Sequence, residues 1–284
     1  MYPWQDYSGR TSPLKLAIFV ALFGPALWTA LEFAMGWLQP QPYTAAIREI
    51  GLWTIRLVFI ALAITPLRWI LQWQRLILVR RMVGVAAFAY GLAHISLYLA
   101  DLKFDLAKAA TEIALRIYLT IGFTALLGLA ALAATSTDAM VRRLGARRWQ
   151  RLHRLIYVIA LLAVVHYCMQ SKLDLWEPTI IAGIYAWLMG YRLLVKLVGV
   201  RGRLPLAWVG ALSLIAPALT ALGEAAYYWI ALGVDPARVL SANWSLVAGW
   251  RPAAIVLGLG LAVTAIGMAR AIGPLIVKRL PGFA

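Results

Sequence analysis

Apolar residues along the chain fall into eight blocks, roughly Leu14–Leu38, Gly51–Leu71, Met82–Ala100, Ile113–Ala134, Leu152–Met169, Pro178–Val198, Leu204–Gly233 and Pro252–Ile272. Most hold about 20 residues, which as a helix crosses a ~30 Å hydrocarbon core. None shows the period-2 alternation of a membrane β-strand. The pattern predicts an all-α polytopic bundle, and no Gly/Ser linker long enough to separate domains interrupts it.

The polar connections between blocks alternate in character. Arg68, Arg75, Arg80 and Arg81 follow the second block, and Arg142, Arg143, Arg147, Arg148 and Arg151 follow the fourth. Arg192, Lys196, Arg201 and Arg203 accompany the end of the sixth, and Lys278 and Arg279 the eighth. The opposite connections, DLKFDLAKAATE and SKLDLWE, are mixed or acidic. An excess of Lys and Arg marks cytoplasmic loops, so both termini are expected in the cytoplasm. The net charge of +16 thereby finds a topological explanation, with contacts to anionic lipid, and calls for no nucleic acid.

Composition agrees: 63% of the 284 residues are hydrophobic, 13% are charged, and the mean hydropathy is +0.80. The single Cys168 excludes an internal disulfide and a multi-cysteine metal site. MYPWQDYSGRTSPLK lacks the apolar stretch and cleavage site of a signal peptide, so the first span is expected to be retained.

Candidate chemistry rests on three histidines, all in or at the ends of spans. Ionisable groups are costly inside a bilayer and are functional candidates by default. His94 lies 13 residues beyond Arg81, and His166 lies 13 residues beyond His153. At 1.5 Å per residue both stand about 20 Å above the cytoplasmic rim. Two imidazoles at one depth on two helices can clamp an iron between them, the arrangement of a membrane b-haem. Gly84 and Gly91 offer small residues near the first of them. His153 sits at the inner rim, about 140° around a straight helix from His166. It has three open readings: a second iron through one protein ligand, a contact with a propionate or flavin, or an interfacial residue.

Arg56 and Arg116, near the periplasmic ends of the second and fourth spans, are not needed there for topology. Their forked guanidiniums suit the carboxylates of outward-pointing haem propionates.

The stretch TSTDAMVRRLGARRWQRLHRLIYVIALLAVVHY (Thr135–Tyr167), with RRMVGVAAFAYGLAHISLY (Arg80–Tyr98) and ITPLR (Ile64–Arg68), resembles the MsrQ (YedZ) family. That family lies within the ferric-reductase-like transmembrane superfamily, and the resemblance runs from about Leu14 to Val198. It implies a six-span core over residues 1–200 that binds b-haem and FMN in a bacterial inner membrane. It also implies electron delivery to a periplasmic MsrP-like molybdenum enzyme that reduces methionine sulfoxide, the membrane subunit carrying no catalytic residue of its own. Through the same resemblance the haem ligands map onto His94 and His166, with the family's third histidine at His153. Anionic FMN would find charge-assisted partners in Arg147, Arg148, Arg151 and Arg154. Quinol or a cytoplasmic flavin reductase would be the electron donor. Two departures stand out: Ile117 replaces an expected proline in RIYLTIG, and residues 201–284 add two spans outside the family core. A quinol-oxidising cytochrome b serving another dehydrogenase remains open, as does a proton-coupled transporter using the histidines with Glu32 and Glu224.

Overall fold

The computed structural model describes residues 2–5, 8–171, 174–200, 202–243, 245 and 249–279, with side chains up to residue 272. Arg201 and the side chains of Lys278 and Arg279 therefore lie outside the described residues. Among those described, eight helices or helix pairs are long and apolar enough to cross a membrane, which matches the expected all-α polytopic architecture. The β structure described is limited to isolated bridges, Gln5 with Thr11 and Val200 with Arg203.

The chain forms two compact units, residues 1–61 with 77–170, and residues 62–76 with 171–284. The first holds α1 (Pro13–Ala21), α2 (Gly24–Ala34), the first part of α3 (Pro42–Ile70), α4 (Arg80–Asp101), α5 (Leu106–Leu115), α6 (Ile117–Ala134), α7 (Asp138–Leu144), α8 (Ala146–His153) and α9 (Leu155–Gln170). Its helices meet mainly through α6 against α9 and α4 against α6. Glycines allow the close approach: a Cβ on Gly128 would lie 2.8 Å from Ile159 Cδ1, and one on Gly91 would lie 2.9 Å from Leu126 Cδ1. Gly91 thus serves helix packing, and Gly84 has nothing within 4 Å of where a Cβ would stand.

Several spans are interrupted where the sequence pattern runs straight on. The first breaks at Leu22–Phe23, where the Tyr90 hydroxyl from α4 enters the helical ladder. It donates to Leu22 O at 2.7 Å and accepts from Ala26 N–H at 3.0 Å, replacing the bond those two groups would make with each other. The fourth span starts at Ile117 instead of Ile113, because Arg116 is extended (φ −103°, ψ 105°) and separates α5 from α6. Ile117 is the first residue of α6, the helix position that best tolerates proline. Isoleucine in place of the family's proline therefore falls where the backbone is already bent. The second span begins nine residues before Gly51, because the amphipathic PYTAAIREI already coils.

The second unit holds the end of α3, α10 (Trp176–Val198), α11 (Leu206–Leu232), α12 (Pro236–Ala242) and α13 (Pro252–Arg279). The sixth span, α10, packs on α11 and α13. Small and hydroxyl residues knit this unit: Trp187 Nε1 donates to buried Ser213 Oγ at 3.1 Å, and Ser213 Oγ lies 3.2 Å from Thr264 Oγ1. Pro66 lacks the N–H that would satisfy Leu62 O one turn back. Arg192 Nη2 donates to that carbonyl at 2.7 Å, giving this arginine a contact beyond topology. Glu224, 5% exposed, is paired with Arg251 at 2.6 Å and accepts from Asn243 Nδ2 at 3.1 Å. A buried carboxylate so held is a fastened charge.

Candidate functional site

All three histidines belong to the first unit. His94 stands on α4 facing the first turns of α3, where its Nδ1 lies 2.8 Å from Ile47 O. His166 stands on α9 facing the first turns of α6, where its Nδ1 lies 2.7 Å from Tyr118 O. A carbonyl only accepts, so in each ring Nδ1 carries the proton, and in the neutral form the lone pair is on Nε2. No described residue engages either Nε2.

The seats of the two rings match. Gly51 lies four residues after Ile47, and Gly122 four after Tyr118. A Cβ on Gly51 would come within 2.8 Å of His94 Nδ1 and Cε1. A Cβ on Gly122 would come within 2.7 Å of the same atoms of His166. Sequence reasoning placed small residues around His94 at Gly84 and Gly91 and missed these two. The available signal was a glycine near the start of each facing helix, at the depth of the histidine.

His153 is held differently. Its Nε2 lies 3.2 Å from Thr135 Oγ1, and its ring stacks on Trp149 with centroids 3.9 Å apart. The Thr135 hydroxyl donates to Ala131 O at 2.8 Å, so it accepts from the ring, and Nε2 is the protonated nitrogen. Trp149 Nε1 donates to Thr135 O at 2.8 Å and closes the cluster. Thr135 and Tyr118 are seventeen residues apart on and just beyond α6, about 25 Å of helix. His153 is therefore remote from the other two.

The loop motif around it is built residue by residue. Thr137 caps α7 by accepting from Met140 N–H. Asp138 pairs with Arg81 at 2.6 Å, and that guanidinium holds its carboxyl below the usual range. Gly145, at φ +73°, makes the turn into α8. Arg147, Arg151 and Arg154 then form one exposed stripe, with Arg148 about 100° away. None of the four has a described partner. The stripe points well away from the Trp149–His153 face.

The two arginines expected beside haem propionates part company. Arg116 stands at the start of α6, half exposed, 3.6 Å from Glu112 and 3.3 Å from Tyr118 Oη. Glu112 also accepts from Tyr98 Oη at 2.8 Å, one turn beyond His94. Arg56 lies nine residues after Ile47 on α3, about 13 Å deeper and 180° around the helix. It rests over the Trp53 ring at 5.0 Å. Because α3 begins at Pro42, Arg56 stands several turns inside that helix rather than at its start.

Among the described residues no three His, Cys, Asp or Glu side chains gather as a metal site. Two imidazoles with free Nε2 atoms are instead a donor set for an iron whose other ligands come with its macrocycle.

Residues 50–164 match the family described as ferric reductase like transmembrane component. That stretch contains His94 and His153 and ends two residues short of His166. The chain is 43% identical over 180 residues to the protein-methionine-sulfoxide reductase heme-binding subunit MsrQ of Rhodospirillum rubrum, a match covering 63% of this chain and 86% of that protein. It is 39% identical over 196 residues to MsrQ of Azospira oryzae, covering 68% and 84%. To MsrQ of Caulobacter vibrioides it is 40% identical over 176 residues, covering 62% and 84%. No solved structure matches.

Proposed function

The chain belongs to the MsrQ family of heme-binding membrane subunits, and from that premise we propose that it is the electron-transfer subunit of a methionine sulfoxide reductase system in a bacterial inner membrane. The observation that carries this reading is the pair of imidazoles held through Nδ1, each with Nε2 left for an iron. A b-haem, when bound, supplies a one-electron centre within the bilayer. The work of this chain's residues is to bind and orient it. Ile47 and Tyr118 carbonyls fix the tautomer and ring plane of the ligands His94 and His166 and raise their basicity. Arg116 retains guanidinium donors for a propionate at the outward end.

The inner end serves the donor side. The unpartnered stripe of Arg147, Arg151 and Arg154, with Arg148, suits the phosphate of FMN, and electrons enter here from a quinol or a flavin reductase. His153, its Nε2 committed to Thr135, positions this end and is set apart from the ligand pair. The acceptor is a periplasmic MsrP-like molybdenum enzyme. A reading as proton-coupled transporter loses Glu224 as a carrier, since Arg251 and Asn243 hold it.

The test is a reduced-minus-oxidised spectrum of the purified protein, followed by mixing the reduced form with a periplasmic methionine sulfoxide reductase and methionine sulfoxide. A low-spin b-haem reoxidised only when enzyme and sulfoxide are both present is expected. A colourless protein, or a haem the enzyme leaves reduced, overturns the proposal.

A further inference from the structure

We infer that Gly51 and Gly122 are positioning residues that set the strength of the two axial ligands, an inference resting on the haem reading above. Each glycine sits four residues after the carbonyl that holds a histidine, in IREIG and YLTIG. In a helix that carbonyl already accepts the glycine's own N–H. The imidazole Nδ1–H is its second donor and must reach it across the face where residue i+4 would carry its Cβ. Only a residue without a Cβ leaves that path open.

The distances decide the point. A Cβ at Gly51 would meet His94 Nδ1 and Cε1 at 2.8 Å, with Cγ at 3.7 Å. A Cβ at Gly122 would meet His166 Nδ1 and Cε1 at 2.7 Å and Cγ at 3.1 Å. Contacts this short force movement, and what must move is a ring whose far nitrogen would hold the iron. The ring swings off the carbonyl, the Nδ1–H···O bond lengthens or breaks, and the ligand becomes less basic. A weaker donor favours the reduced iron, so the potential rises. Gly122 is the tighter seat, and His166 should respond more strongly than His94.

Gly128 on the same α6 provides the control. Its Cβ would meet Ile159 Cδ1 and Cγ1 at 2.8 Å, an equal steric insult against an aliphatic side chain. Gly128→Ala therefore strains the packing of α6 on α9 and leaves the histidine hydrogen bonds alone.

The experiment compares Gly51→Ala, Gly122→Ala and Gly128→Ala in the full-length protein, reading midpoint potential, ferric low-spin spectrum and the rate of haem transfer to apomyoglobin. The two seat variants should show raised potentials and haem loss faster by about 10- to 100-fold, Gly122→Ala more than Gly51→Ala. Gly128→Ala should keep the wild-type potential. Seat variants with wild-type potential, or a Gly128→Ala shift as large as theirs, overturn the inference. Should a seat variant not assemble, the wild-type protein gives the answer. Ligand Nδ1 protons sealed against carbonyls exchange slowly in heavy water by electron–nuclear double resonance, and fast exchange of both overturns the inference. Loss of the haem reading itself looks different: low-spin haem would then persist in His94→Ala and His166→Ala.

Discussion

At one end of the first unit, His94 and His166 are tied down by Nδ1 and present Nε2; at the other end, His153 is tied down by Nε2 and stacked on Trp149. The residue type is the same; His94 and His166 lie within α4 and α9, and His153 is the last residue of the short α8. The difference is which nitrogen the protein has already used. A backbone carbonyl one turn before a glycine leaves Nε2 of one imidazole open to an iron, whereas a threonine hydroxyl and an indole take up Nε2 and one face of the other. Function follows from the partner, and the partner is set by the helix facing each ring.

The comparison would break if the outer pair owed its geometry to the second unit. Glu224→Gln tests that dependence with the largest expected energetic effect. Removing one charge of a buried pair leaves Arg251 unmatched and typically costs about 3–5 kcal/mol. The loss should appear as a lowered unfolding midpoint in detergent, while haem content and spectrum per folded molecule stay at wild-type values. A haem spectrum that fades in step with Glu224→Gln destabilisation would tie the site to the second unit.

Sharper still is a change confined to the inner cluster. Thr135→Val removes the hydroxyl that His153 donates to and frees its Nε2. Electron entry from the cytoplasmic side should slow several-fold, with the outer haem's potential unmoved. If instead the potential moves and entry does not slow, inner and outer histidines share one site.

A smaller effect is expected from the arginines. Arg116→Ala should weaken haem retention or shift its potential, because Arg116 stands at the outward end beside Tyr118, whose carbonyl holds His166. Arg56→Ala should leave both unchanged, since Arg56 is deeper and on the far face of α3. Equal shifts in the two variants would mean that propionates do not point outward.

The smallest effect belongs to the exposed Arg81–Asp138 pair that ties α7 to α4. Arg81 lowers the Asp138 carboxyl below its ordinary value of 3.8, so the pair's contribution is complete above that pH. It is lost as pH falls through the depressed folded-state value. Asp138→Asn should therefore slightly reduce thermal stability at pH 7, with the gap to wild type closing in strong acid. A gap that widens in acid contradicts the pairing.

Much of this architecture is legible in the sequence. Apolar length alone located all eight spans, and counting residues from Arg81 and from His153 put His94 and His166 at one depth. What the sequence concealed was every feature that depends on a facing helix. The carbonyls of Ile47 and Tyr118 have no signature, since every residue carries one. Gly51 was hidden as the supposed first residue of its span, because the amphipathic turns from Pro42 onward do not look like membrane. The break at Leu22–Phe23 depends on a hydroxyl 68 residues away, from Tyr90. Glu224 announced itself as a buried acid, but Arg251, the partner that neutralises it, lies beyond the loop. Nothing in the sixth span's sequence shows that its packing surface faces α11 and α13.

The most direct test of the account is a reduced-minus-oxidised spectrum of His94→Ala, His166→Ala and His153→Ala, taken side by side from membranes with equal protein. His94→Ala and His166→Ala should lose most haem or turn high-spin, and they should resemble each other because they disable one iron. His153→Ala should keep a low-spin haem. Loss of the haem in His153→Ala as complete as in His94→Ala, with His166→Ala retaining it, would place the iron at the inner end and contradict the pairing.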